Sequence, residues 1–173
     1  MGAVKRVPPT VVGDGRRTIR KLIRRLNADP KRDGLRSYPI KLNASVELTL
    51  KRQGYTLDCI PEAGQRVALR SAANFSAGGS NIGVLEHIHP DNRTMAEAAA
   101  QTVGLDIAGI DFITPDISRP YWEVGGGIVE VNTHPGLRVH HFTREGPPQD
   151  AAGAVSESLS TPSGPAPPTN TPA

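Results

Sequence analysis

The 173-residue sequence has 20 Lys and Arg against 17 Asp and Glu, a net charge of +3, with 37% hydrophobic and only 4% aromatic residues. No apolar run reaches the roughly 20 residues that a membrane helix requires, and no signal peptide is recognisable, so we expect no membrane partner. The positive charge is concentrated in residues 16–36 without interleaved aromatics, a pattern that argues against a nucleic-acid partner. Cys59 is the single cysteine, which excludes an internal disulfide and predicts a cytoplasmic location.

The N-terminal half predicts strands and two helices. Residues 4–12 resemble a strand interrupted by Pro8 and Pro9, followed by a Gly-rich turn. A helix is expected from Thr18, its N-cap, to the Asp29-Pro30 pair, because apolar residues recur there at helical spacing. A second helix is predicted over residues 45–53 and a strand over residues 67–70. The apolar positions of the first helix are Ile19, Leu22, Ile23 and Leu26.

The C-terminal half predicts one longer helix and two strands. The helix covers residues 91–103, and the β-branched runs at 107–113 and 128–131 are expected to be buried strands. A polar loop, 114–127, separates these strands. Helices and strands mix without regular alternation, which favours an α+β fold. The remainder is rich in Ser, Thr, Pro, Ala and Gly and predicts a disordered tail. The expected organisation is therefore a domain over residues 1–155 and a tail over 156–173.

Three polar residues stand out on the two predicted strands. Glu130 and Asn132 are two residues apart, so they project from the same strand face, and Asp111 lies at the end of the preceding strand. Two carboxylates and an amide form an all-oxygen ligand set suited to Mg²⁺. The alternative is a hydrogen-bond network on a solvated sheet face.

The sequences GIDF (109–112) and EVNTHPG (130–136) resemble the C-terminal signature of the ATP-grasp ligases. This resemblance implies the C-terminal lobe of an ATP-grasp fold, a largely antiparallel sheet with packed helices. It also implies that Asp111, Glu130 and Asn132 bind the Mg²⁺ ions that hold the ATP phosphates.

A segment upstream, LRSAANFSAGG (69–79), is similar to a second ATP-grasp motif. The resemblance implies that Arg70 stabilises the acyl phosphate, that Asn74 positions the substrate, and that Ser76, Gly78 and Gly79 form a phosphate-binding loop. An Arg fork matches phosphate geometry, and a Gly-Gly turn lets backbone N–H groups approach an anion. Taken alone, Arg70 could be a surface ion-pair partner and the two glycines an ordinary turn.

Longer segments resemble the ATP-grasp module of the cyanophycin synthetases, among them residues 11–32, 50–70 and 105–120. This resemblance implies a ligase that uses ATP and Mg²⁺ to couple aspartate to a cyanophycin-like polymer primer through an acyl phosphate. It also implies a homo-oligomeric complete enzyme. Thr133 and His134 depart from the family pattern, and we assign His134 no catalytic role.

The resemblance also implies parts that this sequence does not contain. They are the other ATP-grasp lobe, with its Gly-rich loop and ATP-binding lysines, and a Mur-ligase-like module. We therefore expect a fragment with little or no ligase activity on its own.

Other functions remain open at this stage. A degenerate, non-catalytic ATP-grasp remnant would bind a nucleotide or a polymer without turnover. The five histidines offer ligands for Zn²⁺ but no convincing spacing, and the Arg-rich helix offers charge but no nucleic-acid motif. Cys59 is interpreted as a packed side chain. The five histidines are His87, His89, His134, His140 and His141.

Overall fold

A computed structural model describes residues 1–160 of the chain; residues 161–173, most of the predicted tail, lie outside the described residues. The described part mixes helices with two-stranded antiparallel sheets, which confirms the predicted α+β class. In chain order the elements are β1 (Val4–Val7), β2 (Thr10–Val12), α1 (Ile19–Asn27), α2 (Ala44–Arg52), β3 (Arg66–Ala68), β4 (Ser80–Gly83), α3 (Pro90–Thr102), β5 (Gly109–Ile113), α4 (Tyr121–Val124), β6 (Gly127–Asn132), α5 (Arg138–His141) and α6 (Ala151–Ser160).

The predicted N-terminal strand is split in two. Pro8 and Pro9 separate β1 from β2, because proline has no N–H to donate to a sheet ladder. The two halves then pair with different partners: β1 runs antiparallel to β4, and β2 runs antiparallel to β3. The chain therefore uses one nearly continuous extended segment to join two separate ribbons.

The hydrophobic core lies between α1, α2, β2 and β3. Helix α1 begins after Thr18, whose side chain accepts a hydrogen bond from the Lys21 N–H, as predicted for an N-cap. Its apolar stripe faces the core. The buried members of this core are Val11, Ile19, Leu22, Ile23, Ile40, Val46, Leu50, Leu57, Val67 and Leu69. Helix α2 begins one residue earlier than predicted, at Ala44, after the N-cap Asn43.

Strand β4 is held on both sides. It pairs with β1 on one side, and on the other the Gly83 N–H donates to the Glu145 carbonyl at 2.9 Å. The Arg144 N–H donates to the Asn81 carbonyl at 2.8 Å, and Asn81 is 2% exposed. The segment after α5 thus fixes the ribbon that precedes α3.

The prediction that the two C-terminal strands are buried is wrong. Ile113 at the end of β5 is 67% exposed, and Val129 in β6 is 65% exposed. Helix α3 packs against this ribbon, but among residues 70–150 no aliphatic or aromatic side chain other than that of Pro120 is buried. A two-stranded ribbon with one packed helix leaves its other apolar positions in solvent.

The predicted polar loop 114–127 contains a short helix, α4, and is fastened to α3. Asn92 of α3 is 3% exposed, and its side-chain N–H groups donate to the carbonyls of Ile117 at 2.9 Å and Arg119 at 2.8 Å. Its side-chain oxygen accepts from the Tyr121 N–H at 2.8 Å. This single amide therefore orders the connection between β5 and β6.

The first five residues of the predicted tail belong to a helix. Helix α6 continues to Ser160, so residues 156–160 are helical. The run that begins at Ala151 contains good helix formers, and the carboxylate of Asp150 accepts from the Gly153 N–H at 2.8 Å, which stabilises the first turn. None of the helices within residues 1–160 is long and apolar enough to cross a bilayer.

Replacing a core residue should destabilise the chain strongly. Ile23 is 1% exposed, so Ile23→Ala should lower the free energy of unfolding in urea by about 2–5 kcal/mol. The control is Leu48→Ala on α2, whose side chain is 51% exposed, and it should change that free energy by less than about 0.5 kcal/mol. Equal effects from the two substitutions would contradict the described core.

Stability should also depend on the titration of His140. Burial lowers the pKa of His140 below its usual value, and His141 lowers it further, while the Gln149 side chain opposes them. A depressed pKa means that the unfolded chain binds the proton more readily, so this contribution is complete above about pH 6.5 and declines as the pH falls below it. His140→Gln should reduce the loss of stability between pH 7 and pH 5 in urea titrations. The exposed His87→Gln serves as the control, and an unchanged pH slope in His140→Gln would contradict the assignment.

Candidate magnesium and phosphate site

The register of β5 and β6 brings the three predicted metal ligands together. Asp111 lies directly opposite Glu130, and Asn132 lies opposite Gly109. Directly opposed residues of antiparallel strands project from the same face, with Cβ atoms about 4.5–5.5 Å apart, and Asn132 shares that face because it is two residues from Glu130. The oxygens of two carboxylates and one amide therefore occupy one side of the ribbon.

A β-bulge lies immediately beside this pair. The register runs from Asp111 opposite Glu130 to Phe112 opposite Ile128, which leaves Val129 without a partner. Bulges of this kind bend a strand and redirect its side chains. The bulge accordingly lies between the end of the ribbon that carries Asp111, Glu130 and Asn132 and the end that leads into the loop joining β5 to β6.

The three residues have different partners. The Asp111 carboxylate accepts from both terminal nitrogens of Arg6, at 3.3 and 3.4 Å. The Asn132 side-chain oxygen accepts from the His134 N–H at 3.0 Å, and the His134 ring is bonded to the Thr133 hydroxyl rather than to the carboxylates. Within residues 1–160, the side chain of Glu130 has no hydrogen-bond or ion-pair partner, and the residue is exposed.

The donor chemistry fits a hard divalent ion. Two carboxylates and an amide oxygen, exposed enough to leave room for waters and phosphates, are the ligands that Mg²⁺ takes in nucleotide sites. In the part of the chain that the structure describes, no group of three or more His, Cys, Asp and Glu side chains is placed to hold a metal. The five histidines therefore offer no such cluster for zinc there.

The loop between β3 and β4 has a conformation that requires both of its glycines. Gly78 has a φ of 92°, in the left-handed region that favours glycine. A Cβ on Gly79 would lie 2.7 Å from the Ala73 carbonyl oxygen. The N–H groups of Ala77 and Gly79 both donate to the Asn74 carbonyl at 3.1 Å, while the Asn74 and Ser76 side chains are exposed.

The side chains of Arg32 and Ser37 hold this loop by hydrogen bonds to its carbonyls. These residues are more than 40 positions away from the glycines that they contact, so no local sequence pattern predicts the contact. Nη1 of Arg32 donates to the Gly78 carbonyl at 3.0 Å, to the Tyr38 carbonyl at 2.7 Å and to the Ser37 hydroxyl at 3.0 Å. The Ser37 hydroxyl donates to the Gly79 carbonyl at 3.0 Å. Burial lowers the pKa of Arg32 to about 10, so the side chain stays charged at neutral pH. The carbonyls of Gly78 and Gly79 therefore point toward Arg32 and Ser37 and away from solvent.

Arg70 and the carboxylates are not in direct contact. Nη2 of Arg70 donates to the side-chain oxygen of Asn43, the N-cap of α2, at 3.1 Å. Among the described residues, no hydrogen bond or ion pair joins residues 70–79 to the three metal-ligand candidates. The loop of residues 70–79 is linked to Asp111 indirectly. It leads into β4, β4 pairs with β1, and Arg6 of β1 forms an ion pair with Asp111.

The chain is similar to segments of ligases. It is 43% identical over 162 residues to cyanophycin synthetase of Trichormus variabilis, covering 92% of this chain and 18% of that protein. It is 33% identical over 162 residues to the glutathione biosynthesis bifunctional protein of Clostridium perfringens, covering 92% of this chain and 21% of that protein. The crystal structure of a bifunctional glutathione synthetase from Pasteurella multocida superposes with a TM-score of 0.75 at 30% identity, over 91% of this chain and 22% of that one.

The chain resembles part of an ATP-grasp ligase of the cyanophycin synthetase and glutathione synthetase types. The motif resemblance noted from the sequence and the expected ATP-grasp lobe are thereby confirmed. No family model matches the chain. The chain spans about a fifth of the length of the relatives it matches. The roles of Arg70, Asn74, Ser76, Gly78, Gly79, Asp111, Glu130 and Asn132 stay predictions.

A matched pair of glycine substitutions should separate backbone strain from packing. Gly54 and Gly78 both have positive φ, but a Cβ at Gly54 would meet nothing within 4 Å, whereas a Cβ at Gly78 would lie 2.7 Å from Cγ1 of Ile40. Gly54→Ala should lower the free energy of unfolding by about 1–2 kcal/mol, the cost of a left-handed alanine. Gly78→Ala should lower it further in the same urea experiment. Equal losses would show that the Gly78 loop is not packed as described.

Proposed function

We propose that this chain is the metal-binding part of an ATP- and Mg²⁺-dependent carboxylate–amine ligase of cyanophycin synthetase type. The observation that carries the proposal is the cross-strand pair of Asp111 and Glu130 with Asn132 on the same face. The similarity to segments of two kinds of ligase supports it. The reaction proposed is the coupling of aspartate to a growing, arginyl-decorated polyaspartate chain through an acyl phosphate.

Each residue has a proposed part in this reaction. Asp111, Glu130 and Asn132 hold Mg²⁺, which when bound neutralises charge on the ATP phosphates. The Ser76–Gly79 loop contacts the anionic phosphate through the exposed Ser76 hydroxyl, because the N–H groups of Ala77, Gly78 and Gly79 donate within the loop. Gly78 and Gly79 give the loop its shape, and their carbonyls accept from Arg32 and Ser37. Arg70 stabilises the acyl phosphate, and Asn74 positions the substrate. No enzyme nucleophile is required, because catalysis rests on positioning and electrostatic stabilisation.

The substrate proposal favours a cyanophycin-like primer over glutathione precursors. Identity to the cyanophycin synthetases is 42–43%, against 33–34% for the glutathione biosynthesis proteins. The second candidate function is a non-catalytic nucleotide- or polymer-binding module. It predicts binding of Mg-ATP or primer without turnover.

The metal assignment can be tested on the chain as it exists. Mn²⁺ titrated into the purified protein and followed by electron paramagnetic resonance should bind, and Asp111→Asn or Glu130→Gln should weaken binding about tenfold or more, since each removes a charged ligand. Asp106→Asn is the matched control, because Asp106 is an exposed carboxylate just before β5. Unchanged affinity in both ligand variants would refute the site.

The ligase activity of this chain alone should be negligible. An ATP site closes on its nucleotide between two lobes, and the chain resembles only part of such an enzyme. We expect no ATP-dependent incorporation of aspartate into a cyanophycin primer by the purified 173-residue protein, measured with labelled aspartate. Incorporation above that of the Asp111→Asn variant would contradict this expectation.

A further inference from the structure

Arg6 lies outside the segments that resemble ligase motifs, yet its side chain contacts Asp111, a proposed metal ligand. It lies on β1, and its two terminal nitrogens bond the two oxygens of Asp111 at 3.3 and 3.4 Å. The side chains are 57% and 41% exposed. An ion pair as exposed as this contributes little to folding stability. Stabilising the contact between β1 and β5 therefore does not explain why Arg6 lies beside Asp111.

The backbone of Arg6 is firmly placed. Arg6 pairs in register with Asn81 of β4, and Asn81 is buried and accepts the Arg144 N–H on the far side of that strand. The guanidinium is therefore presented from a ribbon fixed on both sides. It reaches across to a second ribbon, β5–β6, that has no buried hydrophobic side chain of its own.

The charges around Asp111 explain what the guanidinium does there. Asp111 and Glu130 are directly opposed carboxylates, and like charges in that arrangement repel. Arg6 is bonded to Asp111, while Glu130 has no partner in the described part of the chain. The single positive charge of Arg6 thus reduces the repulsion between the two carboxylates. A divalent ion would neutralise both of their charges.

We propose that Arg6 binds two different anionic groups at this site, depending on whether a metal ion is present. Without a metal it is the counter-ion of Asp111; with a divalent ion on the carboxylates it is displaced and its planar fork binds a phosphate oxygen of the metal-bound polyphosphate. This inference rests on the proposed function, because it takes Asp111 and Glu130 as metal ligands. A guanidinium group binds phosphate as well as carboxylate in a two-pronged geometry. A polyphosphate bound to a metal ion on Asp111 would lie next to the released Arg6 side chain and would be its new partner.

The proposal predicts effects of opposite sign from one substitution. In Arg6→Gln, Mn²⁺ alone should bind about two- to fivefold more tightly, as expected when an exposed competing cation is removed. In the same variant, the Mn²⁺-loaded protein should bind inorganic tripolyphosphate more weakly than the Mn²⁺-loaded wild type. A merely structural Arg6 would not change the two affinities in opposite directions.

Lys5→Gln is the matched control. It removes the same charge from the preceding residue of β1, which is exposed and makes no ion pair with Asp111. It should leave the affinity for Mn²⁺ close to that of the wild type, and Arg6→Lys, which keeps the charge, should lie between wild type and Arg6→Gln. Mn²⁺ affinity is read by electron paramagnetic resonance and tripolyphosphate affinity by calorimetry.

The outcomes separate this inference from the proposed function. If wild type binds Mn²⁺ and loses it in Asp111→Asn, but Arg6→Gln lacks either of its two effects, the metal site stands and the role of Arg6 is refuted. An equal tightening in Lys5→Gln also refutes it, because the effect would then be general charge. If neither the wild type nor any variant binds Mn²⁺, both proposals fall.

Discussion

The two prolines at positions 8 and 9 divide one extended segment, and the rest of the architecture follows from that division. Because neither residue can donate a ladder hydrogen bond, the segment before them pairs with β4 and the segment after them pairs with β3. Strand β2 carries Val11 into the hydrophobic core. Strand β1 carries Arg6 toward the carboxylates. The packed half and the proposed site thus share a continuous backbone and polar contacts such as the ion pair of Arg144 with Asp29, but no common hydrophobic core.

Polar interactions organise the half that contains the proposed site. Asn92 fastens the connection between β5 and β6, and Arg32 with Ser37 holds the glycine loop from inside. These contacts involve buried or half-buried groups bonded to backbone carbonyls, where an unpaired donor would be costly. Hydrogen bonds therefore hold the elements of this half in place, whereas apolar packing holds α1, α2, β2 and β3 together.

Local patterns in the sequence were enough to predict most elements, since Thr18, the apolar stripe of α1 and the proline pair act over a few residues. The shared face of Glu130 and Asn132 follows from strand periodicity alone. The contact of Arg6 with Asp111 spans 105 positions, and no local pattern encodes it. Burial was predicted wrongly for Ile113 and Val129 because β-branched composition predicts a strand but does not show what covers it.

The exposed ribbon of β5 and β6 has a consequence for how the chain behaves in concentrated solution. Within residues 1–160 each of these strands pairs only with the other, so both outer edges present unpaired backbone groups beside the exposed side chains of Ile113 and Val129. Edges of this kind accept additional strands from other molecules. Intermolecular strand addition at this ribbon is accordingly the route by which the isolated chain is expected to self-associate, and it would lengthen the sheet in its own plane while leaving the face that carries the carboxylates open.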